Sequence, residues 1–200
     1  MNTKQRAVPL SPEARRTAIL EAVIPLLLER GANVTTAQMA EAAGIAEGTI
    51  FRVFPDKASL IYAAVRSAWD PAPEIEMLYR IERDLPFEVK LRKAAAIILK
   101  RYERVHALAA VFRSMPPPPE KTFHDAHREA VKANSLLFSA LTRLFDDEQA
   151  NLTVAPARAA AAFRGLLHAV SFPLNDPDEL ITAEEAIGVL LRGVTTGDRS

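Results

Sequence analysis

The side chains with most to offer a polar partner crowd into one window, Thr35 to Lys57, which reads TTAQMAEAAGIAEGTIFRVFPDK. Thr35, Thr36 and Thr49 bring hydroxyls, Gln38 an amide, Glu47 a carboxylate, Arg52 a guanidinium and Lys57 an ammonium. Spaced as they are, these groups suit hydrogen bonding and ionic contact with an extended surface. Elsewhere Ser, His and Asp residues occur without a nucleophile setting, and no Gly-rich phosphate loop is present.

Two short helices must position that window. Thr35 with Gln38 three residues on forms a capping box, so a helix starts there. Ala40 is small enough for two helices to cross closely. Gly44, four residues later, takes the left-handed turn that a side chain would penalise. Ile45 follows as the apolar residue expected after a glycine cap. A second helix then fits Glu47 to Phe54, with Ile50 and Val53 or Phe54 facing inward. That leaves Glu47, Gly48, Thr49, Phe51 and Arg52 on or near its outer face. The spacing is that of a helix-turn-helix, whose second helix lies in the DNA major groove. Two core helices packed around a glycine turn would show the same spacing. Lys57 bears on the choice: a cation in the first turn of the next helix opposes the helix dipole at a cost of roughly 0.3–1 kcal/mol. A nearby DNA phosphate would offset that cost.

The flanking chain is helical throughout. Ser11 and Pro12 open a first helix that carries Ile19, Val23 and Leu26 on one face and ends at Gly31, with Pro25 inside it. Asp56 caps a fourth helix with Leu60, Ile61, Ala64, Val65 and Ala68 buried. Asp70-Pro71-Ala72-Pro73 breaks the chain. A short helix fits 74–83. A long stripe follows at Leu91, Ala95, Ile98, Tyr102, Val105, Ala109 and Phe112, ended by four prolines, Pro116 to Pro119. Further helices fit about 120–146, 156–171 and 179–193, the last opened by Thr182 or by the Asp176–Asp178 cluster. No segment sustains the period-two alternation of a strand. The expected fold is all-α: a flexible arm over 1–11, a helix-turn-helix domain over 12–72, and a larger helical domain over 73–200.

Composition sets outer limits. The 200 residues carry 25 basic and 25 acidic side chains, so bulk positive charge cannot be what holds a nucleic acid. Net charge is +1 over residues 1–70, +3 over 71–123 and −4 over 124–200, a gradient that weakly favours an anionic partner near the N-terminus. Cysteine is absent, which excludes disulfides, Cys-containing zinc sites and thiol catalysis and fits a reducing cytoplasm. No apolar run approaches the ~18–20 residues needed to span a bilayer, and no secretory leader is read. The expectation is a cytoplasmic protein with no membrane partner.

The window resembles the DNA-binding domain of TetR-family (TetR/AcrR) transcriptional regulators. The residues that carry the likeness are Thr35, Thr36, Met39, Ala40, Ala43, Gly44, Ile45, Gly48, Thr49, Phe51, Phe54 and Lys57, within about 13–70. The resemblance implies a sequence-specific regulator, typically a repressor, that binds a palindromic duplex operator as a homodimer and answers to a small-molecule effector. It implies DNA contacts from Thr35, Thr36, Gln38, Ala46, Glu47, Gly48, Thr49, Phe51, Arg52 and Lys57. Two positions depart from the pattern. Ala46 stands where a Ser commonly caps the recognition helix, and Glu47 stands where a basic residue is common. These departures motivate an alternative, a helical ligand-binding or scaffold protein that has lost operator recognition. Lys4, Arg6, Arg15 and Arg16 near the N-terminus would reach phosphates, or else belong to a solvated tail.

The C-terminal half resembles the family's ligand-binding and dimerisation domain by arrangement alone. Candidate pocket residues are Tyr102, His106, Phe112, Phe123, His127, Phe138, Phe163 and His168, although aromatics in such stripes are more often plain core and His127 equally suits a surface or pocket rim. Candidate dimer residues are Phe163, Leu166, Leu167, Val170, Ile187, Leu190 and Leu191, or these close an intramolecular hairpin. His124 and His127 are spaced i, i+3, but no third ligand accompanies them, so no metal is expected. No cofactor and no enzymatic activity are expected.

Overall fold

Ser11 starts the first helix, its Oγ accepting the Ala14 N–H at 3.1 Å with Pro12 at the first helical position. The computed structural model describes residues 11–117, 120–171 and 181–195, with side chains in all of these except 120–127. Helix α1 spans Pro12–Arg30, with Pro25 on its exposed side. Gly31, at φ +66°, ends it and leads into a single 3-10 turn.

Helix α2 spans Thr36–Ala42, α3 Glu47–Val53 and α4 Lys57–Ala68. The capping box at Thr35 is formed in both directions: Gln38 N–H donates to Thr35 Oγ1 at 3.2 Å and Thr35 N–H donates to Gln38 Oε1 at 2.9 Å. Gly44 takes φ +65°, and Ile45 N–H reaches back to the Ala40 carbonyl at 3.0 Å, closing α2 in the left-handed manner its spacing called for. Phe54 leaves α3 in extended backbone ahead of Pro55, and Asp56 caps α4 through Ser59 N–H at 2.7 Å. Ile19, Val23, Leu27, Met39, Ile50, Phe54, Leu60 and Ile61 bury together, with Leu108 and Val111 in the same cluster.

The rest of the chain is α5 (Ala72–Tyr79), α6 (Phe87–Arg113), α7 (Glu120–Asp146), α8 (Pro156–Ser171) and α9 (Ala183–Val194). The short helix expected at 74–83 thus begins and ends earlier. Thr182, not the aspartate cluster, caps α9 in a second complete capping box with Glu185. The aspartates at 176 and 178, like Lys4, Arg6 and most of the expected arm, lie outside the described residues. Among the described residues the β-type pairing is a single antiparallel bridge, Leu152 with Thr195.

Contacts divide the chain into two units. One takes in the described part of Met1–Trp69 together with Ala107–Pro119, and the other Asp70–His106 with the described part of Glu120–Ser200. Helix α6 therefore contributes to both. The second unit's core is built by Leu78, Leu91, Ala94, Ile98, Leu141, Phe145, Phe163, Leu167, Ile187 and Leu190. It also buries charge. Glu74 is 2% exposed and holds two guanidinium groups, Arg101 at 3.3 Å and Arg104 at 2.7 Å. Lys90, also buried, pairs with Glu148 at 2.8 Å. Buried charges are tolerable only when paired in this way.

Candidate nucleic-acid interface

Helix α3 is anchored by one side and open on the other. Ile50 is completely buried beneath it and Phe54 nearly so, while Glu47, Gly48, Phe51 and Arg52 are exposed and Thr49 is half-buried. Phe51 keeps 49% of its surface in solvent, a large apolar ring with no core to fill. A Cβ built on Gly48 would meet nothing within 4 Å. Internal packing does not require that glycine, so its bareness matters only to something approaching from outside. Arg16 of α1 lies over the Phe54 ring, its Cζ 4.3 Å from the centroid.

The remaining expected residues have internal partners. Thr35 and Gln38 cap α2 through the reciprocal bonds described above. The Thr36 hydroxyl donates to the Glu47 carboxylate, joining the first turns of α2 and α3. Ala46 is the N-cap of α3, extended at φ −71° and ψ 143°, and supplies no side-chain cap. Lys57 is half-buried, and its Nζ donates to the Ala32 carbonyl at 2.9 Å. That bond secures the turn after α1 and gives the lysine a structural reason to exist, with donors to spare for a second acceptor. Sequence alone signals neither contact, because the pairs are 11 and 25 residues apart.

The second unit holds a cavity of about 420 Å³ between α6, α7 and α8. Of the aromatic and histidine candidates, Tyr102, Phe138 and His168 line it. His106 instead stacks on Tyr102 with ring centroids 6.3 Å apart. Phe112 belongs to the core of the other unit, packed against Tyr62 and Trp69. Phe163 is fully buried beside Phe145. The Phe123, His124 and His127 side chains lie outside the described residues. Missed by sequence reading were Arg101, Asn134 and Arg164, polar residues of the cavity wall. The one hint was Arg101's place three residues after Ile98, on the edge of the apolar stripe.

The expected dimer set is corrected in part. Phe163, Leu167, Ile187 and Leu190 are at most 2% exposed within the protomer, so they close its own core. Leu166, Val170 and Leu191 are half-buried. The faces that α8 and α9 leave open are elsewhere, at Ala162, Ala169 and Val189. Among the described residues no cluster of three or more potential ligands could hold a metal, and no helix is long and apolar enough to cross a membrane.

Residues 19–64, from the buried face of α1 through α4, match the family model for bacterial regulatory proteins of the tetR family. Over that segment the chain is similar to the tetR family of bacterial regulatory proteins. Whole-chain likeness extends the fold. A TetR transcriptional regulator from Streptomyces coelicolor is 26% identical with a TM-score of 0.54, covering 92% of this chain and 99% of its own. A structure assigned to a TetR-family transcriptional regulator of Mesorhizobium loti reaches a TM-score of 0.65 at 14% identity, covering 94% and 100%. The nucleoid occlusion factor SlmA of Marinobacter nauticus is 29% identical over 100 residues, 49% of this chain and 50% of that protein. The chain thus spans about half the length of that curated relative. The all-α fold, with its helix-turn-helix followed by a larger helical part, is shared with these solved structures.

Proposed function

We propose that the chain is a sequence-specific DNA-binding regulator, acting in the cytoplasm as a homodimeric repressor whose DNA affinity is set by a small molecule. The observation that carries this reading is the open face of α3: Gly48, Phe51 and Arg52 outward, Ile50 fixed beneath. Phe51 suits apolar contact at a groove wall, and Arg52 suits a guanine edge or a phosphate. In this reading Lys57 adds a backbone contact beside its bond to Ala32. The exposed small residues of α8 and Val189 of α9 give two copies a face on which to meet. Two α3 helices would then enter successive major grooves about 34–36 Å apart. An effector in the α6–α7–α8 cavity would act through its differential affinity for two states of the dimer. Helix α6 supplies Tyr102 to that cavity and Leu108 to the core beneath the motif. We take the domain boundary to fall at the Asp70-Pro71 break.

Selection from a random duplex pool tests the reading. The expected outcome is enrichment of a two-fold symmetric sequence with half-sites a helical turn apart. A pool that stays random favours the second reading, a scaffold without an operator. What speaks for that second reading is Glu47, a carboxylate on the exposed first turn of α3 where it faces any approaching phosphate.

A further inference from the structure

The cavity in the second unit has a chemical bias that an unspecified effector site would not need. Its floor and sides are apolar, with Ile98, Leu137 and Leu141 among them. Its polar groups include two cations and no anion. Arg101, Arg164, His168, Tyr102 and Asn134 supply two guanidinium groups, an imidazole, a phenol and an amide, and no described lining residue is a carboxylate.

Arg101 pairs with the buried Glu74, which Arg104 shares, and donates to the Asp70 carbonyl at 3.3 Å. Arg101 is 6% exposed, and burial pulls its guanidinium below its ordinary value against the opposing pull of Glu74. It nevertheless stays a cation at neutral pH. Arg164 lies over the Phe138 ring, Cζ 4.8 Å from the centroid, a cation–π contact on the cavity wall. Both charges are felt at one place inside. Burial pushes the Tyr102 phenol above its ordinary value, and Arg164 and then Arg101 pull it back.

We propose that this cavity takes an organic carboxylate: an apolar body against Ile98, Leu137 and Leu141, and a single anionic head met by Arg164 with Arg101, Tyr102 and Asn134 around it. The inference rests on the reading of this unit as an effector domain and names the class of effector. A cation there would lie against two guanidinium groups. An anion suits them, through charge-assisted and bidentate hydrogen bonds. The volume, about 420 Å³, is in the range of small-molecule sites. The wall also has an opening for a blocking substitution. Gly165 lies in α8 and lines the cavity, and a Cβ there would meet nothing within 4 Å.

Calorimetric titration of the full chain at neutral pH tests this, with benzoate, 2-naphthoate and octanoate against the matched amides. At least one acid should bind about ten-fold or more tightly than its amide. Arg164→Gln, at an exposed position, should remove that preference and leave amide binding unchanged. Gly165→Leu should weaken acid and amide together while circular dichroism stays unaltered. Equal binding of acid and amide, or an acid preference that survives Arg164→Gln, overturns the proposal. So does failure of every acid to bind at about 1 mM. Duplex affinity measured in the same samples separates this from the wider reading. An acid that binds without changing DNA affinity supports the carboxylate site and contradicts effector control. An amide that releases DNA as well as its acid does the reverse.

Discussion

Asp56 shows how a single side chain on the edge of the motif sets local order. Its carboxylate accepts the Ser59 N–H and starts α4, the helix that follows α3. Those bonds, from the Ser59 backbone first and its side chain next, hold the carboxyl below its ordinary value of 3.8. A folded-state value below the unfolded one means stability that is complete above the unfolded value and drains as pH falls through the folded one. Glu82, Asp147 and Glu185 shift in the same direction. Asp56→Asn should therefore be less stable than wild type at neutral pH, with the difference in urea midpoint shrinking below about pH 4. A difference that does not change with pH contradicts the assignment. At this scale sequence reading was strong where partners are three or four residues apart, as in the Thr35 box, the Asp56 cap and Gly44. It was blind to Thr36 with Glu47, Lys57 with Ala32, and Arg101 with Glu74. Those contacts depend on how helices dock, which no local period encodes.

Helix α3, the element the proposed function sets against DNA, is short: seven residues, Glu47–Val53. Helices of this length do not hold themselves together in water, so packing on Ile50 and Phe54 must do it. Its N-cap contributes nothing through its side chain. Ala46 already has the extended backbone a capping residue adopts, and it is exposed. Ala46→Ser should therefore stabilise the protein by about 0.5–2 kcal/mol without repacking, read as a raised urea midpoint. No gain would mean that the Thr36–Glu47 bond already fixes this end of the helix. The period-3.6 stripes located nearly every helix, because amphipathic helices on a core write that period into the chain. They could not say what covers the stripe. In α8 and α9 an apolar face looks the same whether it meets its own protomer or a partner.

At the scale of the molecule that ambiguity separates folding from assembly. Phe163 is wholly buried against Phe145 in a core shared with Leu167, Ile187 and Leu190. Phe163→Ala should cost about 3–5 kcal/mol of folding stability. It should act on the protomer, lowering the denaturation midpoint to the same degree at dilute and concentrated protein. A loss that vanishes at high protein concentration would put Phe163 back at an interface. The zero net charge of the whole chain adds a second point at this scale. In the proposed function, duplex binding therefore rests on a few placed groups rather than on a general positive field, with Arg52 foremost. The most direct test is fluorescence anisotropy of a duplex taken from the enriched pool, titrated with wild-type protein and Arg52→Ala over a range of salt. The account predicts that wild-type affinity falls as salt rises, and that Arg52→Ala loses about 1–3 kcal/mol of binding to that duplex with its fold intact. Equal affinity of the two proteins for that duplex at every salt concentration would contradict it.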